Sequence, residues 1–283
     1  MSCSVVIPTL GGATLKNTIS LLNEGSIVPS EILVCIPQEQ AFKKDDFEFS
    51  NVKIIKTERR GQVAQRIEGF KNASCPYVMQ LDDDINVDVN CIKYLLDVIE
   101  LRGPNVAVAP ALIDMSTNES VYKKPAKPTC ISTFYYWLMN GVSGYQPGKV
   151  DKTGTPVGFN TKSTNIELIE SEWLAGGCVM HHRDNLILNN YFPFEGKAFG
   201  EDVIQSFRLT KKGIKLFIAT KAVCSLEIIP ISAYTFSEYL INLKSEVVIR
   251  KYYMKLMSRD SFRIDIYYFI SIIRYVIKKY IFK

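Results

Sequence analysis

The chain has 283 residues, 47% of them hydrophobic and 22% charged, an ordinary globular composition that excludes disorder as the default. That length suits one large α/β domain plus an appendage. The net charge of +5 is unevenly placed: residues 244–283 hold ten Lys or Arg against three Asp or Glu, leaving −2 for residues 1–243 and no basic track for nucleic acid.

Nothing after Met1 reads as a signal peptide, because the apolar run Cys3-Ser4-Val5-Val6-Ile7-Pro8 follows almost at once, without a basic leader or cleavage site. The catalytic part is therefore expected in the cytoplasm. Strands are predicted over 4–8, 31–36, 52–56, 77–81 and 106–109, and helices over 14–24, 62–73 and 89–101. The helices rest on spacing: Val63, Ile67 and Phe70, and then Ile92, Leu95, Leu96 and Ile99, recur with a helical period. Strand and helix in alternation imply a mostly parallel sheet covered on both faces, with the ligand site beyond the carboxyl ends of its strands. Residues 115–170 lose this rhythm, become rich in Pro, Gly, Thr and Lys around Phe134-Tyr135-Tyr136-Trp137, and read as an insertion or long loops. Regular structure is expected again as a strand over 173–181, a helix over 201–212 stopped by Gly213, and a strand over 215–224. The seven cysteines, odd in number and never spaced C-x-x-C, argue against a disulfide framework and a zinc site, and read as reduced thiols.

Three features can carry chemistry. Asp82-Asp83-Asp84 follows the apolar run Tyr77-Val78-Met79-Gln80-Leu81, and three adjacent carboxylates repel one another unless they share a cation; such oxygen donors suit Mg²⁺ or Mn²⁺. A solvated acidic turn is the competing reading. Glu201-Asp202 opens a helix, where the free N–H groups favour carboxylates as caps, and where an ionised carboxylate can also take a proton from an attacking hydroxyl. Gly176-Gly177, in the stretch Trp173 to His182, suggests close approach of a ligand or another backbone inside a strand, or a simple bulge. His181 and His182, adjacent on that strand, face opposite ways, and packing or an acceptor contact is preferred to metal ligation for either.

Taken in order, Val5-Val6-Ile7-Pro8-Thr9, Arg60 to Arg66, Tyr77 to Asp84, Trp173 to Arg183, and Glu201-Asp202 with Arg208 and Gly213 resemble glycosyltransferase family 2, whose fold is the GT-A type, over most of the chain. The resemblance implies a Rossmann-like GT-A catalytic domain over about 1–230, with a nucleotide-binding half to about 110 and an acceptor-binding half after it. Residues 231–283 would then be a C-terminal helical tail. It implies that Pro8 and Thr9 line the nucleotide pocket and that Arg66 sits near the donor phosphates. Asp82 to Asp84 become the D-x-D motif, with Asp84 the direct metal ligand, helped by Asp82, and with Asp82 or Asp83 near the ribose. Gly176 and Gly177, with Trp173, form the acceptor side. Asp202 becomes the general base and Glu201 orients acceptor hydroxyls. One departure stands out: the second strand is followed by Pro37-Gln38 rather than the acidic residue that commonly reads uracil, so uridine is in doubt as the donor base.

The implied reaction is transfer of a single sugar from a nucleotide-diphosphate sugar to a saccharide or lipid-linked saccharide, metal-dependent and inverting, as in assembly of bacterial surface polysaccharide or lipopolysaccharide. The processive Q-x-x-R-W pattern is missing. In the tail, Phe262, Ile266, Phe269, Ile270, Ile273, Val276, Ile277, Tyr280 and Ile281 follow helical spacing, with Arg263, Ser271, Arg274 and Lys278 in a narrow polar strip. Its apolar run is too short to span a bilayer, so it either lies at a membrane surface or packs on protein.

Overall fold

The run Cys3–Pro8 forms β1 and Glu31–Pro37 forms β2, and every residue of both is buried. Near-continuous apolar strands of this kind belong at the centre of a parallel sheet covered on both faces. The computed structural model describes residues 2–40, 49–122, 129–194, 198–228, 234–277 and 279. Among them β1 pairs in parallel with β2 and with β4 (Tyr77–Leu81), and β2 pairs in parallel with β3 (Val52–Thr57). The sheet continues through β5 (Asn86–Val87), β6 (Val106–Asp114), β7 (Leu168–Glu170), β8 (Cys178–His182) and β9 (Lys215–Leu226). Its order is β3-β2-β1-β4-β8-β6-β9-β5, with β7 also on β9. β8 lies antiparallel between β4 and β6, and β6 runs parallel to β9.

Alternation along β1 sorts the two faces. Val5 and Ile7 pack with Ile19 and Leu22 of α1 (Leu15–Asn23) and with Leu95, Leu96 and Ile99 of α3 (Cys91–Arg102). Val6 packs on the other face with Phe70 of α2 (Gln62–Asn72). There α2 comes so close that a Cβ on Gly69 would lie 2.3 Å from Val6 Cγ1 and 2.6 Å from Cys35 Sγ. The first core also gathers three thiols the sequence keeps far apart: the sulfurs of Cys91, Cys178 and Cys224 all lie within 4.8 Å of one another.

The chain divides into two compact units, one of residues 1–121 and 161–227, the other of residues 122–160 and 228–283. In the second unit, the stretch anticipated as loops holds a helix, α4 (Cys130–Asn140). It starts in a capping box between Thr129 and Ser132 and ends at Gly141 in the left-handed region, signals that its aromatic composition obscured. The tail is two helices, α6 (Phe236–Leu256) and α7 (Phe262–Val276). Lys278, Tyr280 and Ile281 of the tail pattern, and residues 123–128 of the expected loops, lie outside the described residues. Arg250 of α6 is buried, donates to Thr153 O at 3.2 Å and Thr155 Oγ1 at 2.5 Å, and stacks 4.1 Å from the Tyr267 ring. Among the described residues no helix is long and apolar enough to cross a membrane.

A second correction concerns the strand expected over 173–181. It begins only at Cys178, and Gly176-Gly177 form the turn before it. The backbone of 174–177 finds partners outside a regular ladder: Leu174 N donates to Ser206 Oγ at 3.0 Å, Gly176 O accepts from Gln80 Nε2 at 2.6 Å, and Gly177 O accepts from Asp82 N at 2.8 Å.

Candidate active site

Because β1 and β4 are parallel neighbours, Thr9 and Asp82 to Asp84 leave the sheet side by side at its carboxyl edge. Pro8 ends β1, buried, and Thr9 is buried beyond it. Thr9 Oγ1 accepts from Gly11 N at 2.9 Å and donates to Asp83 Oδ2. Gln65 of α2 fixes this corner by donating to Thr9 O and to Cys35 O, both at 2.7 Å. Asp83 O accepts from Thr18 Oγ1 of α1 at 3.0 Å. Burial pushes the Asp83 carboxyl above its ordinary value, the Thr9 hydrogen bond opposes this, and the Asp84 charge adds to it. Asp84 itself is exposed and makes no hydrogen bond or ion pair with the described residues.

Asp82 Oδ1 accepts from Gln62 Nε2 at 2.8 Å and from Arg66 Nη2 at 3.2 Å. Burial raises this carboxyl to about 6, with Arg66 pulling it down and Glu201 pushing it up. Arg66, read from the sequence as a donor-phosphate contact, is buried inside the protein, with Nη1 donating to Glu201 Oε1 at 2.7 Å. Burial works against its charge, and Glu201 and Asp82 more than offset that, so the guanidinium stays firmly cationic. Glu201 and Asp202 start α5 (Glu201–Lys211), entered through Gly200 at φ +65°. Glu201 Oε2 also accepts from the Tyr191 hydroxyl at 2.8 Å, so both its oxygens are engaged. Asp202 is half-buried, and its Oδ1 accepts from Val203 N at 2.9 Å. Burial, then the Glu201 charge, raises its carboxyl to about 7.

The two glycines lie against these groups. A Cβ on Gly176 would come within 2.5 Å of Glu201 Oε1 and 3.2 Å of Asp202 Cβ; one on Gly177 would reach 2.7 Å from Ile85 Cδ1 and 3.3 Å from Asp82 Oδ2. Trp173 is buried at the start of this stretch, its carbonyl accepting from Ser171 Oγ at 2.7 Å. His181 packs edge-on to Phe70 and meets Gln80 Oε1 at 3.3 Å through Nε2. Burial, then the Arg66 charge, holds it down to about 3, so it is neutral.

The structure therefore brings together Thr9, Arg66, Asp82, Asp83, Gly176, Gly177, Glu201 and Asp202. Sequence reasoning gave no role to Gln62, Gln65 or Tyr191. Gln62, Gln65 and Arg66 stand at i, i+3 and i+4 of α2, a spacing that puts them on one helix face. Tyr191 sits in an irregular stretch with no periodicity to mark it.

Residues 37–161 match the family model described as Glycosyl transferase family 2. The sheet and its helices resemble those of a solved glycosyltransferase of the GT-A type. GalNAc-T7 with UDP, GalNAc and Mn²⁺ aligns at a TM-score of 0.57 and 19% identity, covering 81% of this chain and 43% of that one. S. aureus TarS residues 1–349 aligns at a TM-score of 0.47 and 14% identity, covering 88% of this chain and 65% of that one. The chain thus spans less than two thirds of either. No curated protein matches the sequence. Family match and fold together show a GT-A type fold with a likeness to glycosyl transferase family 2 over residues 37–161.

Proposed function

We propose that the chain transfers a single sugar from a nucleotide-diphosphate sugar to a saccharide acceptor with inversion at the anomeric carbon. The observation that carries this reading is the pairing of a strand-end carboxylate cluster with a half-buried carboxyl whose pKa is about 7, the two joined by the Asp82–Arg66–Glu201 bridge. Pro8 and Thr9 line the nucleotide pocket, and Asp83, held by Thr9, faces the ribose. The donor set at the sheet edge fits a hard divalent cation, Mg²⁺ or Mn²⁺: Asp84 is exposed with no partner among the described residues, and Asp82 stands two residues before it. When bound there, such a cation neutralises charge on the leaving diphosphate.

Asp202 takes the proton of an acceptor hydroxyl as that oxygen bonds to the anomeric carbon. The bond from that carbon to the diphosphate oxygen breaks, and the nucleoside diphosphate leaves with the electron pair. A pKa near ambient pH suits a group that must accept a proton and release it again. Glu201 acts through Arg66, fixing the start of α5, and Gly176 and Gly177 form the acceptor-side wall with Trp173 behind them. Because Arg66 is enclosed by Asp82 and Glu201, its part is to set the spacing of the two carboxylate groups.

The acceptor is a saccharide, with a lipid-linked one favoured by the basic, apolar tail, which lies at the cytoplasmic face of a membrane. Assembly of bacterial surface polysaccharide or lipopolysaccharide is the role this fits. The test is a thermal-shift series with UDP, GDP, CDP, CMP and dTDP, each with and without Mn²⁺. One nucleotide should raise the melting temperature only with the metal, by an amount equivalent to about 2.7 kcal/mol at a hundredfold excess over Kd, and Asp84→Asn should abolish the shift. Saccharide binding without nucleotide binding or turnover would instead identify a non-catalytic relative.

A further inference from the structure

The second unit contains a helix, α7, that is apolar on its outward face as well as its inward one. The side chains that α7 buries are Ile264, Ser271 and Tyr275. Ser271 is 7% exposed, whereas Phe269 and Ile273 are 64% and 57% exposed and share an outward stripe with Phe262 and Val276. Positions 262, 269, 273 and 276 recur with the helical period, so this is one continuous face. A helix that packs only on its own domain turns such residues inward. The same unit exposes Ile131, Phe134 and Trp137 at i, i+3 and i+6 of α4, with the last two rings stacked at 6.0 Å. α4 and α7 are tied together: Arg263 donates to Trp137 O at 2.9 Å and to Leu138 O, and Arg274 lies 5.6 Å from the Tyr135 ring centre.

Charge identifies what covers this surface. Residues 122–160 and 228–283 carry fifteen Lys and Arg against five Asp and Glu, a balance of +10, while the other unit carries nineteen against twenty-four, or −5. A second copy would bring two strongly cationic units together. A nucleic acid would satisfy the charge and leave the aromatic stripe in water. An anionic phospholipid surface satisfies both, since aromatic and aliphatic side chains enter the acyl boundary while Arg and Lys reach the headgroups.

We propose that residues 122–160 and 228–283 form a docking module for an anionic lipid bilayer, in which α4 of the insertion enters the interface together with α7 of the tail. This deepens the membrane part of the functional reading and rests on it only for the meaning of docking, because lipid binding is measured without turnover. The protein has two tryptophans, and Trp173 is buried, so a blue shift of emission on adding vesicles reports Trp137. The full chain should show that shift and co-sediment with vesicles of phosphatidylcholine mixed with phosphatidylglycerol, and not with phosphatidylcholine alone. High salt should weaken the binding. The double variants Phe269→Ser/Ile273→Ser and Phe134→Ser/Ile131→Ser each change exposed side chains and should lower partitioning by roughly tenfold or more, with melting temperature and nucleotide-dependent thermal shift unchanged. Absence of binding to anionic vesicles would overturn the proposal, as would a wild-type dimer that the α7 variant converts to monomer without any lipid effect. Binding lost in the α7 variant and kept in the α4 variant would overturn the shared face. A missing nucleotide shift with intact vesicle binding would count against the glycosyltransferase reading alone.

Discussion

Arg66 and Glu201, 135 positions apart, meet through a 2.7 Å contact between Nη1 and Oε1, both side chains buried. The same guanidinium reaches Asp82, so one cation holds the end of β4 against the start of α5. Removing it strands the buried Glu201 carboxylate and the half-buried one of Asp82. Arg66→Met should therefore lower unfolding free energy by about 3–5 kcal/mol, read as a fall in the urea midpoint with little change in slope. A loss under about 1 kcal/mol would mean that water replaces the guanidinium and that the bridge is not the spacer it is taken to be.

The carboxyl of Asp202 is raised to about 7 by burial and by Glu201. As a base it works only when ionised, so kcat/KM should rise with pH and level off above a midpoint near 7. Asp202→Asn should cost about 10²–10⁴ in turnover and leave the metal-dependent nucleotide shift intact. A flat profile from acidic to basic pH would remove Asp202 from proton transfer.

Glu31 shows the opposite sign. Burial opposes its charge, but Lys53, Ser4 and Ser74 all donate to it at 2.7 Å and hold its carboxyl down to about 2 from 4.5. Its contribution to stability is complete above the unfolded value of 4.5 and disappears as pH falls through about 2. It amounts to about 3 kcal/mol, at 1.36 kcal/mol for each unit. Urea unfolding at neutral and acidic pH should show this loss in the wild type, and Glu31→Gln should flatten that part of the curve. Equal pH slopes in both proteins would refute it.

Gly176 stands where a methyl group would press on Glu201 Oε1 at 2.5 Å. Gly176→Ala should displace that carboxylate and lower kcat by about 10², the scale of an ångström-sized misplacement, with the nucleotide shift retained. Gly69→Ala, which crowds Val6 and Cys35 away from the site, should instead cost about 1–3 kcal/mol of stability and spare kcat in the folded fraction.

Much of the sheet was legible because its central strands are apolar runs bounded by helices of clear period; β4 appears over Tyr77–Leu81 as expected. The short strands β5 and β7, of two and three residues, carry no pattern long enough to read. The stretch after Trp173 misled because Leu174, Ala175 and the glycines look like strand residues, whereas the backbone of Leu174, Gly176 and Gly177 is bonded to Ser206, Gln80 and Asp82. The site motifs were visible as carboxylates at element ends. That Arg66 turns inward was not, since only the fold reveals two carboxylates waiting for it. The three core thiols likewise meet through β8, β9 and α3, a convergence that no spacing records.

One connection beneath the site contains no formal charge. Gln80 and Gln205 exchange hydrogen bonds at 3.1 and 2.7 Å, Gln80 also donates to Gly176 O, and the neutral His181 completes the group. Strand, glycine turn and helix are thus clamped by amides, which neither gain nor lose protons over the range in which Asp82 and Asp202 titrate. Asp202 can change its ionisation while this amide clamp keeps its dimensions, so near neutrality acidity should tune the rate before it weakens the Arg66 bridge at Asp82 or reaches the low-pH loss at Glu31.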